Sequence, residues 1–271
     1  MWAVLTNIHR QFKIFRVMAQ PAYERMVLAD PRIPFKHLSR NYLARNLTVA
    51  ERAACLMHHY SYLHERLPSK LLHQALQRDV TMFEVREGGS LYRVAMGLSR
   101  TQVREGEFFL NLEVDGMQVY ILQFTIVPGW VVKSGAPDVL LVTRLQGMKG
   151  CYSQIYQATK VLKEVAPPAL LMTALQGVAK ACGIYEFAGV CARSQFSHSE
   201  YSSSTFNEAY DQFFTQLGMC HSSANYYSCP LPIPEKPVDN VKNGHRSRTR
   251  KKRAYKLEIA DRVCQLISES R

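Results

Sequence analysis

The sequence predicts one mixed α/β domain with a mainly antiparallel sheet, flanking helices and helical extensions at both ends of the chain. Three observations predict this fold class. The chain has 271 residues, which is enough to bury a core without a disulfide or metal staple. Apolar residues recur at helical spacing near both ends of the chain, whereas residues 79–127 show the alternation and β-branched composition of strands. Strands and helices then alternate over residues 138–227. We divide the chain into an N-terminal helical segment (1–30), a main domain (31–237) and a basic C-terminal helix (238–271).

The first helices are predicted from apolar spacing and from capping signals. Apolar residues recur at helical spacing from the N-terminus, and Pro21 should kink that helix. Thr48 and Glu51 form a capping box, in which the threonine accepts a backbone N–H and the glutamate reaches back to the start of the helix. Within residues 1–77 the helices are expected at 6–28, 48–63 and 68–77, with a linker at 30–34.

Four strands of an antiparallel meander are predicted next. Their residues alternate in polarity or are rich in β-branched and aromatic side chains. Asp115-Gly116 is the strongest hairpin signal in the chain, because a type I′ turn needs a positive φ at both central residues. The predicted strands run over 80–86, 91–98, 107–114 and 117–127.

The second half of the chain alternates strands with helices. An apolar run leads into a loop at 146–150, and a helix should follow it. Pro167 and Pro168 should begin the next helix, and Gly183 should end it. Gly218 should end a later helix in the same way. We expect strands at 138–145 and 184–192, helices at 152–163, 167–181, 206–217 and 248–269, and a proline-rich connector at 230–237.

The cysteines and the first residues of the chain bear on its compartment. The seven cysteines are odd in number, form no C-x-x-C pair and mostly sit in apolar patterns, which is typical of buried free thiols in a reducing compartment. Basic residues from His9 to Arg16 interrupt the apolar run that a secretory signal needs. The longest uncharged stretches, 116–132 and 165–179, are too short for a membrane span. We therefore expect a protein in the cytoplasm, or peripherally on the inner membrane.

The positive charge is concentrated near the C-terminus. Eight Lys or Arg residues and no acid lie between residues 242 and 256, and removing them from the net charge of +12 leaves +4. So many cations at the start of a helix are repelled by its dipole, which favours an anionic partner over a merely solvated helix start. The partner could be nucleic acid, through its phosphates, or an anionic lipid surface. The residues expected to contact it are Arg246, Arg248, Arg250, Lys251, Lys252 and Arg253.

Seven groups of residues, spread over nearly the whole chain, carry a family resemblance. They are 48–52 with His58-His59-Tyr60, Glu105-Gly106-Glu107 with 119–122, 144–147 with 158–160, 168–171, Gly183-Ile184, Gly189-Val190 with His198, and 252–255. Together they resemble the VirK/YbjX family of bacterial proteins, which is named for an association with virulence. The resemblance implies a cytoplasmic factor tied to envelope stress or host-defence resistance. It implies no reaction, because the family has no settled one.

A second resemblance concerns a strand, a loop and a helix start around Arg144. Residues 139–227 are similar to the acyl-CoA-binding half of GNAT-type acetyltransferases, in which a loop of the form Arg/Gln-x-x-Gly-x-Gly/Ala holds the cofactor pyrophosphate with its backbone N–H groups. The resemblance implies a GNAT-like fold whose fourth and fifth strands part at Arg144. It also implies acyl-CoA as a cofactor. Its binding residues would be Arg144, Gln146, Gly147, Met148, Lys149, Gly150 and Asn207, with Lys149 in place of the last small residue.

The helix that follows agrees with the GNAT pattern at the asparagine and the glycine and departs from it at the two positions between them. Asn207, Tyr210, Phe214 and Gly218 fill the places where the GNAT helix carries Asn, Ala, Tyr and Gly. The GNAT tyrosine would protonate the departing thiolate, whereas Phe214 has no proton to give. The resemblance therefore implies either an acyl-CoA-dependent acyltransferase or a decayed relative that still binds the cofactor.

Four further residues are candidates for acid–base chemistry, although each can also be structural. Glu186 lies mid-strand in an apolar run, so it must face outward, pair with a residue such as Arg193, or take part in chemistry. His198 follows the sixth strand on a serine-rich loop and could act as acid or base near neutral pH. Tyr210 and Tyr227 are alternative proton donors.

No metal site is expected from the histidines and cysteines. His58 and His59 are neighbours on a helix and point about 100° apart, so they cannot share one metal ion. Cys220, His221 and Cys229 lack a fourth ligand at zinc-like spacing. Two hypotheses therefore remain: a non-enzymatic factor that docks through its basic C-terminal helix, and a GNAT-like acyl-CoA-binding protein.

Overall fold

The computed structural model describes residues 8–99, 105–196, 204–223, 225–235 and 237–270, with residues 204–209 as backbone only. An eight-stranded sheet in the order β1-β2-β3-β4-β5-β6-β8-β7 forms its centre. This mixed α/β architecture confirms the predicted fold class. The strands are β1 (Val80–Glu87), β2 (Ser90–Leu98), β3 (Phe108–Val114), β4 (Met117–Pro128), β5 (Asp138–Gly147), β6 (Glu186–Val190), β7 (Cys220–Ser223) and β8 (Tyr226–Pro230).

Eight α-helices surround the sheet in the described part of the chain. They are α1 (Ile8–Met18), α2 (Glu24–Ala29), α3 (Val49–Arg66), α4 (Ser69–Gln77), α5 (Tyr152–Val161), α6 (Pro167–Cys182), α7 (Ser204–Gln216) and α8 (Asn243–Glu269). No helix among these residues is both long enough and apolar enough to cross a bilayer.

Local signals account for most element boundaries. The capping box is present, since Thr48 Oγ1 accepts the Glu51 N–H at 3.2 Å and the Glu51 carboxylate accepts the Thr48 N–H at 2.8 Å. Asp115 and Gly116 have φ of 50° and 81°, as the predicted type I′ turn requires. The first predicted helix is broken at Pro21, where a short 3-10 turn separates α1 from α2.

Three segments differ from the sequence prediction. The predicted linker at 30–34 runs into a 3-10 helix, Ile33–Leu38, because Pro34 suits the first turn of a helix. The β7–β8 hairpin was not predicted, because Cys220–Ser223 has neither alternation nor an apolar side chain beyond the cysteine. Helix α8 begins at Asn243, five residues before the predicted start, so that most of the basic segment is helical.

The sheet changes from antiparallel to parallel pairing only once. Strands β1 to β5 form the antiparallel meander, and β5 then pairs with β6 in parallel. The crossover between them contains α5 and α6, and Gly183, at φ 78°, ends α6 as predicted. Strand β8 returns antiparallel between β6 and β7.

Helix α8 is attached to the body by its second half. Its buried residues are Ile259, Val263 and Ile267, which lie one turn apart and face α6. The two helices approach closely at Gly177, where a Cβ would lie 2.5 Å from the Ala260 carbonyl oxygen. The first half of α8, which carries the cations, contributes no buried residue.

Candidate functional site

Strands β5 and β6 part at the middle of the sheet. They pair over three residues only, with Leu140 to Val142 opposite Phe187 to Gly189. Strand β5 then continues along β4 to Gly147, while β6 ends at Val190 and the chain turns away. The register of β5 against β4 shifts at this point and leaves Thr143 as an extra residue, a β-bulge. Bulges of this kind re-aim backbone groups and are frequent beside functional sites.

A side-chain amide occupies the opening between the two strands. Gln195, buried in the turn after β6, donates from Nε2 to the Thr143 carbonyl oxygen at 3.1 Å. The Thr143 hydroxyl in turn donates to the Gln123 carbonyl at 3.2 Å. The backbone oxygen at the bulge therefore already accepts a hydrogen bond from an amide of the protein itself.

Arg144, the residue after the bulge, is bound within the chain. Its Nη1 lies 3.2 Å from Oε2 of Glu105, and its Nε and Nη2 donate to Gln146 Oε1 at 3.0 and 2.7 Å. Burial raises the pKa of Glu105, and the charge of Arg144 opposes that shift. Two of the residues expected to hold a cofactor, Arg144 and Gln146, thus bind each other.

Tyr210 of α7 lies beside the same opening. Its side chain is buried next to Gln195 and Glu105. Burial raises the pKa of Tyr210 well above its usual range, and the contact with Gln195 opposes the shift. The raised pKa keeps the phenol protonated, so it carries a proton to donate or share in a hydrogen bond. Sequence reasoning singled out Tyr210, but not Gln195 or Glu105, because their proximity depends on the fold.

The loop after β5 uses part of its backbone internally. Gly147 still belongs to the strand ladder, opposite Tyr120. The N–H of Met148 donates to the Val119 carbonyl at 3.0 Å, and that of Cys151 donates to the Met148 carbonyl at 3.2 Å. Gly150 has φ 87°, so glycine is required there for conformation. Binding of the cofactor pyrophosphate at this loop remains a prediction. Two of the backbone N–H groups of the loop already donate hydrogen bonds within the protein.

The remaining acid–base candidates do not come together. Tyr210 and Tyr227 pack on the ring of Phe214, at centroid distances of 5.3 and 5.5 Å, so the phenylalanine separates them. Glu186 lies at the other end of β6 and accepts a 2.7 Å hydrogen bond from the Ser134 hydroxyl, not one from Arg193. His198 and the side chain of Asn207 lie outside the described residues.

A buried charge network, which the sequence analysis did not identify, joins distant segments. The Lys36 ammonium lies 3.2 and 3.1 Å from the two carboxylate oxygens of Glu107, and the Tyr60 hydroxyl donates to Glu107 at 2.5 Å. Burial raises the pKa of Glu107, but Lys36, His59 and Tyr60 lower it by more, so the carboxylate is ionised. Burial lowers the pKa of His59 to about 3, and its Nδ1 accepts the Ile126 N–H. The network is enclosed, and we interpret it as structural.

The basic half of α8 is partly neutralised by two acids of the body. Arg248 and Lys252 pair with Glu164, and Arg253 and Lys256 pair with Glu235. Eight cations between residues 242 and 256 thus meet two carboxylates, which leaves an excess of six positive charges. Burial and the neighbouring cations Arg248 and Lys256 lower the pKa of Lys252, as expected where like charges crowd together.

Some of the basic side chains in the first half of α8 contact the protein, and others point to solvent. Arg246 donates to the carbonyls of Val241 and Asp239, at 3.0 and 2.8 Å, and so closes the start of the helix. Arg250 and Lys251 are exposed and take part in no ion pair with a described residue. Four of the six cations expected to contact an anionic partner therefore make internal contacts, and two point to solvent.

The cysteines and the possible metal ligands of the described residues form no candidate site. All seven cysteines are free, and five are buried; Cys220 is exposed and Cys264 is half-buried. Within the described residues, no three side chains of the His, Cys, Asp and Glu types converge as metal ligands would.

Comparison with known proteins assigns the chain to a family. Searches of curated proteins and of solved structures find no match. A family model matches residues 3–265, which is nearly the whole chain. The chain belongs to the family described as "Protein of unknown function (DUF535)".

Proposed function

We propose that the protein docks on an anionic phospholipid surface through the outward side of the first half of α8. The observation that carries this proposal is the excess of positive charge that remains after Glu164 and Glu235 have been paired. The unpaired cations Arg250 and Lys251 lie about two turns after the start of the helix, so their attraction for an anion comes mainly from their own charges. Each basic residue near an anionic bilayer contributes about 1 kcal/mol of attraction.

The shape of this side of the helix supports lipid as the partner. Arg250, Ala254 and Leu257 follow a spacing of four and three residues, so they share one face, and Lys251 adjoins it. We call these four residues the basic face. Leu257 is 65% exposed, although it is a large apolar side chain. Cations about two turns before an exposed leucine suit phosphate headgroups beside acyl chains, whereas duplex nucleic acid offers such a leucine nothing to bury.

The resemblance to the VirK/YbjX family points in the same direction, because it implies a factor associated with envelope stress. A factor that acts at the inner membrane would gain from a means of binding its surface. Electrostatic docking would supply a reversible attachment.

Vesicle flotation of the full chain tests the proposal. We expect binding to vesicles that contain phosphatidylglycerol, no binding to pure phosphatidylcholine, and loss of binding as salt is raised. The Arg250→Glu/Lys251→Glu variant should bind at least about 30-fold more weakly, since two attractions of about 1 kcal/mol each are removed.

The matched control reverses two exposed cations elsewhere. Lys70→Glu/Arg78→Glu changes the net charge by the same amount on and beside α4. This control should bind vesicles like the native protein. Equal losses in both variants, or binding to duplex DNA but not to vesicles, would contradict docking of the basic face on lipid.

A second candidate function, binding of acyl-CoA in a GNAT-like fold, is favoured by the parting of β5 and β6. Strands β5 and β6 separate at the Thr143 bulge, next to Arg144. The fourth and fifth strands, which were expected to part at Arg144, instead stay paired as far as Gly147. The Gln195 amide on the Thr143 carbonyl occupies a place that an amide of the cofactor's pantetheine arm could take.

Thermal unfolding in the presence of CoA and acyl-CoAs tests this second function. A ligand at 100 times its Kd should stabilise the native protein by about 2.7 kcal/mol. Gln195→Ala removes the competing amide, so this variant should be stabilised more strongly than the native chain. If neither protein is stabilised by any of these ligands, acyl-CoA binding is wrong.

A further inference from the structure

Helix α1 presents an apolar stripe to solvent. Ile8, Phe12 and Phe15 are 42%, 66% and 40% exposed. Because successive residues turn by about 100°, these three side chains lie within a sector of about 60°. The side chains that α1 buries are Gln11, Ile14 and Met18, which lie on a neighbouring sector. The stripe therefore adjoins the surface that attaches α1 to the protein, but its side chains remain partly exposed.

A residue from another segment enlarges the stripe. Phe35, in the 3-10 helix Ile33–Leu38, packs edge-on against Phe15 with ring centroids 5.6 Å apart. Phe35 is itself 39% exposed. We call Ile8, Phe12, Phe15 and Phe35 the α1 patch. Phe12 and Phe15 on one face of α1, together with Phe35 against Phe15, form an exposed apolar surface of the kind that marks interaction sites.

The charges on α1 itself are all of one sign. Arg10, Lys13 and Arg16 are exposed on α1, His9 lies among them, and the helix contains no acidic residue. Arg16 and Lys13 lie about 40° and 100° around the helix from Phe12, so cations border the stripe on one side. Aromatic residues with basic residues alongside are typical of helices that lie in the membrane interface.

Charge complementarity decides between the possible occupants. A second copy of the chain, docked through the same surface, would place the cations of one α1 close to those of the other, which disfavours a symmetric dimer. Duplex nucleic acid would satisfy the cations but offers no apolar environment for Phe12, which is two-thirds exposed. An anionic bilayer provides both headgroup phosphates and an apolar layer beneath them.

We propose that α1 lies in the plane of an anionic membrane and inserts the α1 patch into the boundary between headgroups and acyl chains. This inference rests on the proposed function for its lipid partner, but on a different part of the molecule. It adds a hydrophobic contact to the electrostatic one made by the basic face. Binding through both should be less sensitive to salt than binding through charge alone, since apolar burial is not screened.

Substitution of the exposed aromatic residues tests the inference in the full chain. Phe12→Ser/Phe15→Ser should weaken binding to phosphatidylglycerol vesicles at least tenfold, roughly the effect of keeping part of two phenylalanine rings out of lipid. Tyr185→Ser is the control, because Tyr185 is 74% exposed but lies outside α1 and the 3-10 helix. It should bind as the native protein does.

A fluorescent reporter shows whether α1 enters the bilayer. In a chain whose native Trp2 and Trp130 are replaced by phenylalanine, Phe12→Trp should shift its emission to the blue on vesicles and be quenched by lipids brominated on their acyl chains. No shift and no quenching on vesicles that the protein demonstrably binds would overturn the insertion.

The two proposals fail in different ways. If Arg250→Glu/Lys251→Glu loses binding while Phe12→Ser/Phe15→Ser keeps it, α1 insertion is wrong and docking of the basic face survives. If the serine variant loses binding while the glutamate variant keeps it, insertion of α1 is supported and docking of the basic face is wrong. If the serine variant instead converts a dimer to a monomer in light scattering, with vesicle binding unchanged, the α1 patch is a contact between copies and the inference is overturned.

Discussion

Replacement of Lys36 by methionine should destabilise the protein by about 3–5 kcal/mol at neutral pH, because it leaves the Glu107 carboxylate buried without its cation. The Lys36 ammonium lies 3.1 Å from the nearer carboxylate oxygen, and both side chains are almost completely buried. Two unit charges at that distance attract each other by about 5 kcal/mol at an effective dielectric constant of about 20. The attraction of about 5 kcal/mol that the substitution removes is therefore similar in size to the usual cost of about 3–5 kcal/mol for breaking a buried ion pair.

The pH dependence of stability should identify the cause. In the native protein the pKa of Glu107 lies below its usual range, so the pair stabilises the fold above the unfolded-state pKa and the contribution is lost as the pH falls through the folded-state value. Without Lys36, burial should raise the pKa of Glu107 above its unfolded value of about 4.3. The pH dependence of stability then has the opposite sign, and the variant should lose further stability as the pH rises above that value.

Urea unfolding near pH 5 and near pH 7.5 measures both effects. The set comprises the native protein, Lys36→Met, Glu107→Gln and the double variant. The double variant should be more stable than Lys36→Met alone, because it contains no unpaired buried charge at this site. A cost for Lys36→Met below about 1 kcal/mol, with no dependence on pH, would refute the reasoning, since a solvated pair behaves in that way.

Three further predictions follow from packing and burial. Gly189→Ala would place a Cβ 2.5 Å from the ring of Phe214, so it should cost about 1–3 kcal/mol in urea unfolding. Gly177→Ala would place a Cβ 2.5 Å from the Ala260 carbonyl oxygen, so it should loosen α8 and speed tryptic cleavage at its basic residues. His59 has a pKa of about 3 when folded and about 6.5 when unfolded, so stability should fall as the pH drops between these values. His59→Gln should make that fall shallower.

Gly135→Ala is the control for both glycine variants. An added Cβ at Gly135 meets no atom within 4 Å, so this substitution should change stability by less than about 0.5 kcal/mol. Equal effects of all three alanines would mean that the close contacts at Gly177 and Gly189 are not what sets the cost.

Elements governed by neighbouring residues could be predicted from the sequence. The capping box at Thr48, the turn at Asp115-Gly116 and the end of α6 at Gly183 all depend on residues within one turn of each other. The meander follows from alternation, and the fold class follows from the order of the elements. The start of α8 differs because its N-cap, Lys242, makes no side-chain hydrogen bond and because Asn243-Gly244, its first two residues, is a dipeptide typical of turns.

Contacts between distant segments could not be predicted. Lys36 and Glu107 are 71 residues apart, and Gln195 and Thr143 are 52 apart, so no local pattern reports that they meet. The same is true of Glu164 and Glu235, which neutralise part of the basic half of α8. The charge excess could be read from the sequence, but the side of the helix that presents it depends on these pairs.

The α1 patch was present in the sequence as an amphipathic pattern, but its exposure was not. Apolar residues at helical spacing usually face the core, and Ile14 and Met18 do so. Phe12 and Phe15 belong to the same pattern and face solvent instead. Only the packing of α1 on the rest of the protein separates the two sets.

Flotation of the full chain with phosphatidylglycerol vesicles, with and without Arg250→Glu/Lys251→Glu, tests the central claim most directly. Docking through the basic face predicts that the native chain floats with these vesicles and that the reversed variant stays in the soluble fraction at about 0.1 M ionic strength. Flotation of both proteins to the same extent, or of neither, would contradict it.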